Sequence, residues 1–140
     1  MQIKIQNKEI VNAADFLNGL TMKGKLSIAR SRMIQILDKK QKEFAEDRKA
    51  IVESYAEKDK DGKPKLKSDN TYELSVEGNT EASKEITKLL EEYAVIEYGE
   101  HSSRLNDLEK YVTEFDEDVS GNVAQGLFVL VEAFENKEDK

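Results

Sequence analysis

Carboxylates are the side chains here with the greatest chemical reach. The run Glu114, Asp116, Glu117, Asp118 packs four of them into five positions. Such a run can hold a divalent cation through oxygen ligands, but acids just ahead of a helix also complement its dipole without any metal. Pairs at helical spacing, such as Glu81 with Glu85 and Glu114 with Asp118, arise by chance among 29 acidic residues and identify no general acid or base. His101 is the only histidine; Glu100 precedes it and Ser102 and Ser103 follow. Sequence neighbours rarely converge on one reacting atom, so His101 reads as a surface-loop residue. With no cysteine there is no disulfide framework, thiolate zinc site or thiol nucleophile.

Two further motifs fail on spacing. Glu57, Asp59, Asp61 and Gly62 match the first half of a calcium loop, but Ser68 stands where the bidentate acid is required. The glycines are scattered, and none forms a phosphate-cradling loop ahead of Lys-Ser or Lys-Thr. The expectation is a protein that is not an enzyme and carries no cofactor and no metal.

What remains is charge. The 140 residues carry 22 Lys or Arg against 29 Asp or Glu, a net charge of −7. The distribution is uneven: residues 1–50 sum to +5, residues 51–70 to zero and residues 71–140 to −12. One outcome is a basic helix folded against acidic ones. The other is an acidic face, centred on Glu91, Glu92, Glu114, Asp116, Glu117 and Asp118, that steers the protein onto a basic, nucleic-acid-binding partner. That face would repel a phosphate backbone, so direct nucleic-acid binding is disfavoured. Lys25, Arg32, Lys39, Lys42 and Lys49 form a basic stripe that is the alternative binding face. It lacks interleaved aromatics for base stacking.

The elements that must position these groups follow from periodicity. Ile3 and Ile5 alternate with Lys4 and Gln6, and Ile10 and Val11 follow Asn7-Lys8, so residues 1–11 read as a short strand or hairpin. Asn12 is placed to cap a short helix carrying Ala13, Phe16, Leu17 and Leu20. Residues 25–57 predict one long helix with Leu26, Ala29, Met33, Leu37, Phe44, Ile51 and Tyr55 along one stripe. The only proline falls in the turn and hairpin expected over 61–77. The remainder, 80–134, reads as an acidic helical part: a helix capped by Thr80, a short AVIEY strand able to pair with the first, a helix capped by Ser102 or Ser103, and a last helix opening at Ser120–Asn122. The run GLFVLV predicts that this last helix is the most buried element, or completes its burial in a homodimer; the closing ENKEDK is expected to fray. The fold class expected is mainly α, or α+β with a minor β component, in a single domain over 1–140.

The segments MQIKIQNKEIVNAADFLNGL, KEFAEDRKAIVESYAEKDKDGKPKL, TYEL and LLEEYAVIEY together resemble an uncharacterised family of small proteins encoded by phages and prophages of Gram-positive bacteria. The resemblance spans about two-thirds of the chain and is weakest over the carboxyl-terminal third. It supplies no catalytic residues. It implies a phage setting and not a mechanism; in that setting the −12 of residues 71–140 leads to the expectation of a phage-encoded accessory protein that binds and inhibits a host protein, such as a nucleic-acid-dependent defence effector of the CRISPR type. The alternatives are a virion-assembly or tail-associated protein and, third, a nucleic-acid-binding regulator. With no apolar stretch able to span a bilayer and a polar amino terminus, the expected location is the host cytoplasm, with virion association under the second reading.

Overall fold

A computed structural model describes residues 1–139. Strand β1 spans Gln2–Gln6, followed by α1 (Ile10–Asn18), α2 (Gly24–Tyr55), α3 (Val76–Glu91), β2 (Tyr93–Glu97), α4 (Ser102–Thr113) and α5 (Gly121–Glu135). The architecture is mainly helical with a minor β component, as the periodicity predicts. The chain divides into two compact units. Unit 1 comprises residues 1–41 and 93–140, and unit 2 is Lys42–Glu92. The net charge divides with them: 12 basic and 15 acidic residues in unit 1, 10 and 14 in unit 2. The opposed ends of the chain, basic 1–41 and acidic 93–140, therefore share one unit.

Unit 1 is organised by the pairing of β1 with β2. The two are antiparallel, with Ile3 opposite Ile96 and Ile5 opposite Ala94. The alternation that identified β1 turns Ile3 and Ile5 inward and leaves Lys4 exposed. The partner strand is Tyr93–Glu97, the expected AVIEY shifted one residue towards the amino terminus, so residues 7–11 make no hairpin of their own. Instead Asn7–Glu9 forms one 3-10 turn and α1 begins at Ile10. Asn12 lies inside the helix and is not its cap; its amide donates to Glu9. The steps Ile10, Ala13, Phe16, Leu17 bury one helical face, which overrides the short β-branched pair Ile10-Val11.

Helix α1 packs on α5 at Gly126. A β-carbon there would lie 2.0 Å from the Asn12 carbonyl oxygen and 2.9 Å from the Phe16 β-carbon. Only glycine permits so close a helix crossing. Phe16 then meets Phe115 edge-on, with centroids 5.1 Å apart and planes at 85°. Leu105, Leu108 and Val112 from α4, Leu130 and Phe134 from α5, and Ala29, Met33 and Leu37 from α2 complete one core. Arg30 ties the α1–α2 connection by donating to the Leu20 carbonyl.

Two other expectations in unit 1 are corrected. Helix α4 is entered through a 3-10 turn, Gly99–His101, and no serine side chain caps it; Ser102 donates its hydroxyl back to the Gly99 carbonyl. The carboxyl-terminal segment is not frayed at residues 137–138: Glu138 exchanges backbone hydrogen bonds with Gln2, at 2.8 and 2.9 Å. Lys137 donates to Glu109 at 2.9 Å and lies 5.9 Å from the centre of the Tyr98 ring. Lys140, the last residue of the segment, lies outside the described residues.

Unit 2 has a thinner interior, with Ala56, Ala82 and Leu89 buried and Phe44, Ile51, Val52, Leu74 and Ile86 half-buried. The long helix ends at Tyr55, and the chain returns through a twice-folded segment rather than through regular strands. Isolated bridges join Ala56 to Leu74, Lys58 to Pro64 and Leu66 to Tyr72. Asp59 accepts hydrogen bonds from the backbone N–H groups of Asp61 and Lys63, so this acid closes a tight turn. Helix α3 starts four residues before Thr80, because Ser75 caps it by accepting the Gly78 N–H at 3.0 Å. Gly78, which reads as a breaker in sequence, is a contact: a β-carbon there would lie 2.9 Å from the Tyr55 carbonyl oxygen. Tyr55 and Tyr72 donate to Glu85 and Glu53, and these hydrogen bonds to carboxylates raise both phenols above their ordinary range.

Candidate functional site

The carboxylates singled out in sequence fall in different units. Glu91 and Glu92 close α3 in unit 2, whereas Glu114, Asp116, Glu117 and Asp118 belong to the α4–α5 connection of unit 1. All six are exposed. The four in unit 1 are held outward for a local reason. Phe115 lies between Glu114 and Asp116 in sequence and anchors the connection on Phe16, and Val119 at its far end is half-buried. Among the described residues no group of three or more His, Asp or Glu is arranged to hold a metal ion.

The connection leads into α5, whose outward face carries the group that periodicity missed. Gly126, Leu130, Ala133 and Phe134 point into the core at steps of three and four. Phe128 therefore lies on the opposite side of the helix and is 59% exposed. Glu132 and Glu135, four and seven residues on, share that outward side and are exposed. The apolar run GLFVLV is thus not buried all round within one chain, so of the two expectations for α5 that of the most buried element is corrected and that of burial in a homodimer remains a proposal. The buried spacing of Gly126, Leu130 and Ala133 is the signal that could have assigned Phe128 outward.

Glu132 also lines a groove of about 320 Å³ beside α5, with Lys4, Gln6, Glu9, Tyr93, Val129 and Glu138 among its walls. Tyr93, at the start of β2, is 60% exposed. Three carboxylates face this groove against one lysine, and Lys4 is engaged by Glu138 at 3.1 Å. The arrangement offers two solvent-facing aromatic rings in an acidic frame. Chemically it can do what an interface does: exclude water around an aromatic anchor while its rim selects positive charge.

The basic stripe lies where the helix geometry puts it. Lys25, Arg32, Lys39 and Lys42 are all exposed on α2; Lys25 and Arg32 stand four residues before and three after buried Ala29, so the stripe starts beside the buried face and drifts away from it towards Lys42. Lys25, Arg32 and Lys39 fall in unit 1, Lys42 and Lys49 in unit 2. Lys49 approaches Glu53 at 3.8 Å. His101 is half-buried in its 3-10 turn, with the Glu100 carboxylate 3.9 Å away. No described helix is long and apolar enough to cross a membrane.

The chain belongs to the family described as protein of unknown function, DUF1617, whose family model matches residues 1–140. No curated protein and no solved structure matches it.

Proposed function

We propose that this chain is a non-enzymatic accessory protein, encoded by phages and prophages of Gram-positive bacteria, that binds a host protein and blocks it. Its contact surface is the outward face of α5 with the acidic connection ahead of it. The observation that carries the reading is Phe128, an aromatic side chain 59% exposed on the same helical side as Glu132 and Glu135. A solvent-facing aromatic framed by acids serves as an interface anchor, because burying the ring drives association while the surrounding carboxylates choose the partner. The partner is a basic protein surface. Host proteins that carry one in a functional cleft are those that bind nucleic acid, and a nucleic-acid-dependent defence effector of the CRISPR type is the target class of this proposal.

The test is to capture partners from nuclease-treated lysates of infected and uninfected host and then titrate the captured enzyme's activity with wild-type protein and with a Phe128→Asp, Glu132→Lys, Glu135→Lys variant. Stoichiometric inhibition by the wild type, lost in the variant, is expected. Recovery of phage structural proteins alone would overturn inhibition in favour of the assembly role. Unchanged inhibition by the variant would overturn the surface.

A further inference from the structure

Unit 2 contains a second concave surface, of different chemistry. Two helices present matching faces to it. Ala45, Arg48, Lys49 and Val52 come from α2, and Asn79, Ala82, Ser83 and Ile86 from α3, each set at i, i+3, i+4 and i+7. The folded-back segment closes the groove with Lys67, Asn70, Thr71, Tyr72 and Leu74. The volume is about 550 Å³, within the range of sites that hold a small molecule.

The charge of the lining runs against that of the unit around it. Unit 2 has 14 acids to 10 bases, yet the groove is lined by three cations, Arg48, Lys49 and Lys67, and by no carboxylate. The polar lining able to donate to a ligand consists of the amides of Asn70 and Asn79 and the Ser83 hydroxyl, since the hydroxyls of Thr71 and Tyr72 are taken by Asp69 and Glu53. Val52, Leu74, Ala82 and Ile86 add apolar surface. The turn that brings Lys67 and Asn70 to the groove is fixed. Asp69 accepts from both the N–H and the hydroxyl of Thr71, at 3.1 and 2.6 Å, and Lys67 N–H donates to the Thr71 carbonyl at 2.7 Å. Asn70 holds φ at +66°, a left-handed conformation that asparagine tolerates better than most residues.

We infer that this groove is a binding site for a small organic phosphate: a dianionic phosphate monoester taken by Arg48, Lys49 and Lys67, with its organic body against Val52, Leu74 and Ile86. A guanidinium fork with two ammonium groups matches a dianion with several acceptor oxygens better than it matches a monoanionic carboxylate. A nucleic-acid strand fits less well, because the one aromatic residue of the lining, Tyr72, is half-buried and its hydroxyl is tied to Glu53.

The experiment is a titration of the full chain with phenyl phosphate, followed by the backbone amide NMR signals of Lys67, Asn70, Thr71 and Ser83. Benzoate, inorganic phosphate and a short single-stranded oligonucleotide serve as parallel probes. Saturable shifts with phenyl phosphate are expected. Affinity should fall about tenfold or more in Arg48→Gln and in Lys67→Gln, and stay unchanged in Lys88→Gln, an exposed lysine of α3 outside the groove, each variant first shown to retain the wild-type circular dichroism. Absence of saturation at about 10 mM would overturn the inference, as would indifference to Arg48→Gln. Equal affinity for inorganic phosphate or benzoate, or tighter binding of the oligonucleotide, would also overturn it. None of these outcomes bears on inhibition through Phe128, which lies in the other unit.

Discussion

The backbone of Gly126 runs against the carbonyl of Asn12, so close that a β-carbon on Gly126 would stand 2.0 Å from that oxygen. This contact sets how α5 sits on α1, and through that the direction in which Phe128 faces. Replacing Gly126 by alanine must push the two helices apart or distort them. The colliding atoms are backbone and cannot swing away. Gly126→Ala is expected to destabilise the protein by about 3 kcal/mol, at the upper end of overpacking effects. Urea unfolding checks this; a wild-type midpoint would show that the crossing is looser than described.

Phe128 is predicted to separate folding from binding. Its ring contributes little to the core, so Phe128→Ala should change unfolding stability by no more than about 0.5 kcal/mol. The same variant should weaken partner binding by about 2 kcal/mol or more if the ring is an interface anchor. Thermal unfolding and affinity measured on the same preparation decide it. A large loss of stability would return Phe128 to the core.

Tyr98 gives the protein an alkaline limit. Its side chain is buried, and its hydroxyl has no partner at ordinary hydrogen-bond geometry. Burial, reinforced by the Glu109 carboxylate, pushes the phenol well above its ordinary value of 10.0. The folded state thus keeps a proton that the unfolded chain releases near pH 10, so the contribution of Tyr98 to stability is constant below that pH and falls as pH rises above it. Tyr98→Phe is expected to change stability little at pH 7, since the buried hydroxyl it removes meets its one partner, Glu109, outside ordinary hydrogen-bond geometry, and to flatten the fall above pH 10. Unfolding free energies from pH 7 to 11 test both halves.

The cap of α3 can be assigned by a pair of variants. Ser75→Ala removes the acceptor of the Gly78 N–H and should cost about 1 kcal/mol. Thr80→Ala should cost little, because its hydroxyl only donates back to the Val76 carbonyl within the helix. Hydrogen exchange of the α3 amides reads the difference locally, and equal effects would argue against Ser75 as the cap.

The carboxyl-terminal segment is fastened by Lys137 on Glu109, a pair in which each side chain is 22% exposed. Lys137→Met is expected to cost about 1 kcal/mol, between exposed and buried pairs, by leaving Glu109 without its cation. Faster exchange of the Gln2 and Glu138 amides, which bond to each other's carbonyls, would locate the loss.

What the amino-acid sequence determined by itself was whatever rests on local periodicity. The alternation of Ile3 and Ile5 defined a strand, the stretch without Gly or Pro after Lys25 defined the long helix, and the spacing of Leu105, Leu108 and Val112 defined α4. The pairing of AVIEY with the first strand was legible too, because a strand of five residues needs a partner and few were on offer. The starts of α2 and α5 were legible to within a residue, but those of α1, α3 and α4 were not. Asn12, Thr80, Ser102 and Ser103 all have the chemistry of a cap, and which hydroxyl or amide is used depends on where tertiary contacts begin the helix.

The candidate site belonged almost wholly to the tertiary structure. Counting charge found an acidic end of the chain, but its residues divide between two units, and unit 1 also holds the basic segment 1–41. Phe128 and the cation-lined groove of unit 2 have no signature in composition. One exists because Gly126 turns the other side of α5 to the core, the other because α2, α3 and the turn at Lys67–Thr71 converge. Periodicity reports which face of an element is apolar. Only the packing of several elements decides which side chains are left facing water and which are gathered around one cavity.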